Sequence, residues 1–149
     1  LAVERIETLY AQRDNATAVA VASRFYDTFA RSPLLPGVRL TDFRLAVRMG
    51  DLDRARRLGR DLWEGRVPGA TASQRGAAAL LLAAYLGAIG NNDEALALYR
   101  GLFQSATAAD DQRELKRYDW NVETTTFDKT LLGKLEAQVF TWNIEAGSL

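Results

Sequence analysis

The sequence predicts an all-α fold of stacked helix hairpins, and three observations carry that reading. A short phrase recurs: GNNDEALALY at 90–99, GDLDRARRL at 50–58 and a fainter RDNATAVAV at 13–21. Aligned on Ala18, Ala55 and Ala95, the copies stand 37 and 40 residues apart, a period that marks stacked supersecondary units. Apolar residues fall at helical spacing between them, and clusters of proline and glycine break the chain at 32–37 and 65–69.

The elements follow in order. A first helix is expected over 3–12, where Ile6, Leu9 and Tyr10 share a face. Asp14 or Asn15 can cap a second over 16–30, with Val19, Ala22, Phe25, Tyr26 and Phe29 as its apolar stripe. The segment SPLLPG at 32–37 reads as a break, because proline cannot continue a helix and restricts the residue before it. A third helix is expected over 39–49, ended by Gly50, and a fourth over 53–64, capped by Asp51. Thr71 and Gln74 have the spacing of a capping box for a fifth helix, which ends at Gly90. Asn91 or Asn92 then caps a sixth that ends near Phe103, with Asp93 and Glu94 where negative charge complements the helix dipole.

Beyond residue 104 the repeat stops. A polar stretch at 110–118 and a β-branched one at 121–127 lead to an amphipathic helix over 128–144, with Leu131, Leu132, Leu135, Val139 and Trp142. A repeat stack needs an atypical end unit over its last apolar face, and this helix is the candidate cap. The expected organisation is one domain: hairpins over 1–31, 38–65 and 71–104, then a linker and helical extension over 105–149.

Composition narrows the chemistry. With 149 residues, 48% hydrophobic and 26% charged, the chain can bury a core without staples. Nineteen basic and nineteen acidic residues cancel, so net charge gives no reason to expect nucleic acid or a membrane surface. Cysteine and histidine are both absent, which excludes Ser-His and Cys-His nucleophile systems and the usual zinc sites. No metal or cofactor is expected, and the expected role is not enzymatic. The longest apolar stretch, 77–89, falls short of the roughly 20 residues of a membrane span and reads as a buried helix. The chain begins at Leu1 with no basic-then-apolar leader, which reads as a processed chain or a piece of a longer one. Cytoplasmic and periplasmic locations both remain open.

The third unit resembles a tetratricopeptide repeat, through Leu82, Ala83 and Leu86, the turn at Gly90, then Ala95, Tyr99 and Leu102. The second unit keeps Gly50, Ala55 and Leu62. It has Phe43 where that family has a small residue and Gly59 where it has an aromatic. The first keeps Ala18 and Phe25, and every unit lacks the closing proline in register. Helix-hairpin repeats of another type fit the same spacing. The resemblance spans 1–104 and implies a right-handed superhelix of three hairpins, with a concave face built from the first helix of each pair. On that face it places Glu7 and Tyr10, then Arg44 and Arg48, then Ala84 and Gly87. It implies a scaffold that holds a protein or peptide segment, and the composition adds the expectation of a bacterial-type assembly, secretion or envelope complex.

Arg44 and Arg48 stand four apart, so they project from one helix face and can fork onto a carboxylate of a partner. The competing reading makes them solvated arginines paired with Asp42 or Asp51. From 39 to 66 there are eight arginines against five acids, but the acids are interleaved, as on a solvated face, so nucleic acid is not the expected partner. Asp110, Asp111 and Glu114 lack the glycine and spacing of a calcium loop. Trp63, Trp120 and Trp142 are candidates for core or for an aromatic anchor. Phe25, Tyr26 and Phe29 form an apolar edge through which the first hairpin would stack on a neighbouring repeat of a longer protein or on a second copy.

Overall fold

A computed structural model describes residues 5, 8, 9, 14–29 and 31–105. Among these the chain is all-helical, with α1 Asn15–Thr28, α2 Leu35–Met49, α3 Leu52–Trp63, α4 Ala72–Ala88 and α5 Asn92–Ser105. The helix expected over 3–12, the linker and the helix expected over 128–144 lie outside the described residues or are only touched by them.

The caps act as the sequence predicts. Asp14 accepts from Thr17 N at 3.3 Å and Asp51 from Arg54 N at 3.2 Å, each satisfying an otherwise unpaired first-turn donor. Thr71 and Gln74 close the capping box reciprocally, at 3.1 and 2.9 Å. Gly50 and Gly90 end their helices at φ of 72° and 93°, a left-handed backbone that costs glycine no Cβ clash. One boundary differs. The helix expected to begin at 39 begins at Leu35, because Pro36 falls in its first turn, where a missing N–H removes no intrahelical bond. Ser32 Oγ accepts from Leu34 N at 3.1 Å and steadies that entry.

Each helix packs on the next, and α2 also packs on α4. The burial pattern separates two roles. In α1, α3 and α5 one face is buried, by Ala18, Ala22 and Phe25, by Ala55, Leu58, Leu62 and Trp63, and by Ala95, Leu96, Leu98, Tyr99 and Leu102 respectively. In α4, residues 78–87 are all buried, and α2 is nearly as enclosed. These two are the inner helices, and the apolar run at 77–89 is a core helix.

Two departures from the repeat pattern meet in space. A Cβ added to Gly59 would stand 3.0 Å from Phe43 Cε1 and 3.0 Å from Leu82 Cδ2. The absent side chain on α3 makes the room that the large ring on α2 fills, so close packing is kept with the two sizes exchanged. Trp63 is core: its backbone oxygen accepts from Arg75 Nε at 3.2 Å, and a Cβ on Gly101 would lie 3.7 Å from its ring.

Overpacking at this contact costs roughly 1–3 kcal/mol, against a helix-propensity gain of about 1 kcal/mol for losing a glycine. Gly59→Ala is expected to destabilise the wild type, but to be more favourable by about 1 kcal/mol or more when Phe43→Leu is already present. Denaturant unfolding of the four members of that cycle measures the coupling directly.

Candidate functional site

The six residues assigned to a concave groove do not form one open surface. Glu7 and Tyr10 lie outside the described residues. Arg44 and Arg48 are half-buried on α2, one turn apart, on a partly covered stripe with Gly37 and Leu40, the last packed against the core. Ala84 is 0% exposed and Gly87 is buried, so the expected apolar opening at the third hairpin is replaced by packed interior. Trp120, Trp142, Asp110, Asp111 and Glu114 also lie outside the described residues.

The densest polar constellation is one that the sequence reading did not single out. Asp42 sits on α2 in line with Leu35, Val38 and Leu45, so its carboxylate is carried into the interior and is 0% exposed. Burying a charge is costly unless it is paired, and two helices supply partners. Tyr26 on α1 donates to Asp42 Oδ2 at 2.7 Å, and Arg54 Nη2 on α3 donates to the same oxygen at 2.6 Å. The Arg39 guanidinium lies over the Tyr26 ring at 4.2 Å, a cation–π distance. Asp42 Oδ1, Arg39 Nε and Arg54 Nε are buried without a hydrogen-bond partner. Asp42 is thus held by Tyr26 and Arg54, whereas the sequence reading had offered it to Arg44 or Arg48. Burial, then the charge and hydrogen bond of Asp42, push the Tyr26 phenol well above the ordinary tyrosine range. Tyr26 is therefore a fixed donor, not a group that exchanges protons near neutrality.

A second network ties α3 to α5. Arg56 forks onto Glu94 through Nε and Nη2, both at 2.9 Å, and Arg60 Nη2 reaches the same carboxylate at 2.9 Å. Arg60 continues to Glu64 at 3.4 Å, Glu64 to Arg66, and Arg66 to Asp61 at 2.8 Å, an alternating chain of charges. Of the interleaved acids, Asp42, Asp61 and Glu64 engage Arg54, Arg60 and Arg66, while Arg56 is met by Glu94 of α5. Burial pushes the Glu94 carboxyl up, but the hydrogen bonds of Arg56 and Arg60 outweigh it and hold Glu94 below the usual carboxylate range. Beside this network, Arg56 and residues 90–94 line an open polar cleft of about 530 Å³ at the α4–α5 turn. Its charged lining is the Arg56–Glu94 pair and Asp93.

Among the described residues no cluster of acids is arranged to hold a metal ion, and no helix is long and apolar enough to cross a membrane. Comparison with protein-family models, with curated proteins and with solved structures returned no match. The signal for the Asp42 cluster was present in the sequence as an acid on an apolar stripe. Its partners were not, because Tyr26 and Arg54 are 16 and 12 residues away on other helices.

Two pH dependences follow. The folded chain keeps the Tyr26 proton at pH values where the unfolded chain has lost it, so this stability is complete below about pH 10 and falls as pH rises further. Tyr26→Phe is expected to flatten the alkaline limb of stability against pH, read by denaturant unfolding at each pH. The depressed Glu94 carboxyl acts in the opposite sense: its contribution is present above the ordinary carboxylate range, near pH 4.3, and is lost as pH falls through the folded value. Glu94→Gln is expected to cost about 1 kcal/mol at pH 7, with that difference vanishing in acid.

Proposed function

We propose that this chain is a non-catalytic scaffold that holds an acidic protein or peptide segment on the half-buried stripe of α2, through Arg44 and Arg48. In this reading the five helices belong to a tetratricopeptide-like right-handed stack, and the segment after 105 provides its C-terminal cap. The observation that carries the proposal is a contrast among arginines. Arg54, Arg56, Arg60 and Arg66 are engaged by carboxylates of the chain, whereas Arg44 makes no ion pair among the described residues. A guanidinium half-buried on an inner helix, with Arg48 one turn away, suits a bidentate grip on a carboxylate, because partial burial strengthens charge pairing over what water allows. Sequential packing with the additional α2–α4 contact supports the stacked reading. Burial of Ala84 and Gly87 narrows the proposed surface to α2.

A second reading, an oligomerisation module within a larger assembly, is favoured by two large apolar side chains at the α1–α2 connection. Phe29 is 54% and Leu34 51% exposed. Self-association of the wild type that Phe29→Ser/Leu34→Ser abolishes in light scattering would support it.

Affinity capture followed by titration of the captured segment tests the first reading. Arg44→Ala/Arg48→Ala is expected to weaken binding by about tenfold or more, and wild-type affinity is expected to fall with added salt. Arg57→Ala, an exposed arginine of α3, is expected to leave it unchanged. Equal binding by both variants would remove the arginine pair from the interface.

A further inference from the structure

The polar cluster around Asp42 lies at the seam between α1 and the rest of the stack, and the two sides of that seam are unequal. On the α1 side the buried apolar residues are Ala18, Ala22 and Phe25, two of them alanines, while Phe29 at its end stays in solvent. α1 packs on α2. Tyr26 carries hydrogen bonds from α1 to α2, a short one to Asp42 Oδ2 at 2.7 Å and a long one to Val38 O at 3.5 Å. On the other side, α2 to α5 supply most of the core that α1 joins through Ala18, Ala22 and Phe25, and α3 and α5 are further tied by the Arg56–Glu94–Arg60 network.

The closed arrangement also leaves polar groups unpaired. Asp42 and Arg54 meet through one oxygen and one nitrogen, so half of the fork that a guanidinium and a carboxylate can form is unused. Asp42 Oδ1, Arg54 Nε and Arg39 Nε are all buried without a partner. Buried polar groups are expensive when unsatisfied, and water satisfies them once the seam opens. Opening therefore exposes Phe25, the two alanines and the partly buried Val19 and Val21, fewer apolar residues than parting α2 from α4 would, and returns part of its cost through hydration.

We infer that α1 is a strap, latched by the Tyr26–Asp42 hydrogen bond, which opens as a unit ahead of the remaining helices and uncovers Arg39, Asp42 and Arg54 on α2 and α3. The uncovered surface carries two guanidiniums around one carboxylate. With Tyr26 removed from Asp42 and Arg39, its donors and acceptor face solvent together. This inference is independent of peptide binding at Arg44 and Arg48. It gives the fold a built-in control over whether that second polar surface is accessible.

Native-state hydrogen exchange of the full chain, read residue by residue at low denaturant, tests the strap. In the wild type, amides of Asn15–Thr28 are expected to exchange about tenfold or more faster than the core amides of α2 and α4, with a weaker denaturant dependence. Tyr26→Phe removes the latch and retains the ring. It is expected to accelerate exchange in α1 by about a further tenfold, leaving α3 to α5 unchanged. Exchange of α1 at the same rate as α4 in the wild type would overturn the inference. So would a Tyr26→Phe effect spread evenly over all helices, or none in α1. The wild-type comparison stands alone should the variant fold poorly.

Discussion

The buried carboxylate of Asp42 is the constraint around which the first three helices are arranged. It is carried inside because it occupies an apolar register of α2, and a charge in that place must find partners or be neutralised. Tyr26 and Arg54 supply them from opposite sides in sequence, so a single oxygen joins α1, α2 and α3. The contact fixes orientation as well as proximity, because hydrogen bonds of 2.6 and 2.7 Å tolerate little sliding of one helix past another. It is also incomplete, with one carboxylate oxygen and two guanidinium nitrogens left over. A seam so built specifies a geometry more strongly than it stabilises it.

The rest of the stack is held by different means. α2 and α4 are inner helices whose side chains interlock, and the pairing of Phe43 with Gly59 shows how that interior adjusts. A large ring on one helix and a missing Cβ on its neighbour preserve close packing with the expected sizes reversed. At the outer surface the α3–α5 charge chain ties two one-face-buried helices to each other through partly exposed ion pairs. Such pairs add orientation and modest stability and weaken with salt. Apolar interlock, a buried polar tie and a surface charge chain thus act at three different depths. They also leave Arg44 on α2 without an ion pair among the described residues.

Local features were legible in the sequence wherever the physics is local. The caps at Asp14, Asp51 and Thr71, the left-handed glycines at 50 and 90, and the long buried helix of the third unit all depend on residues within a few positions of one another. The start of α2 is less legible, because a proline that ends one helix and a proline in the first turn of the next differ by one or two positions. The site was legible only in part. Arg44 and Arg48 do share a face, since four-residue spacing ensures it in any helix. Ala84 and Gly87 looked like an open floor because small residues can line either a groove or a close helix contact, and composition cannot separate the two.

What this sequence determined by itself is therefore the set of helices, their ends and the side each turns inward, because hydrogen-bonded turns, caps and a 3.6-residue period are written in neighbouring residues. Tertiary structure alone decided which charges pair, which small residues are enclosed and where a large ring meets a glycine. Those outcomes depend on distances between residues 12 to 38 positions apart. No local pattern encodes them. They are fixed only when the helices dock, by the requirement that every buried volume be filled and that a buried charge meet its partner.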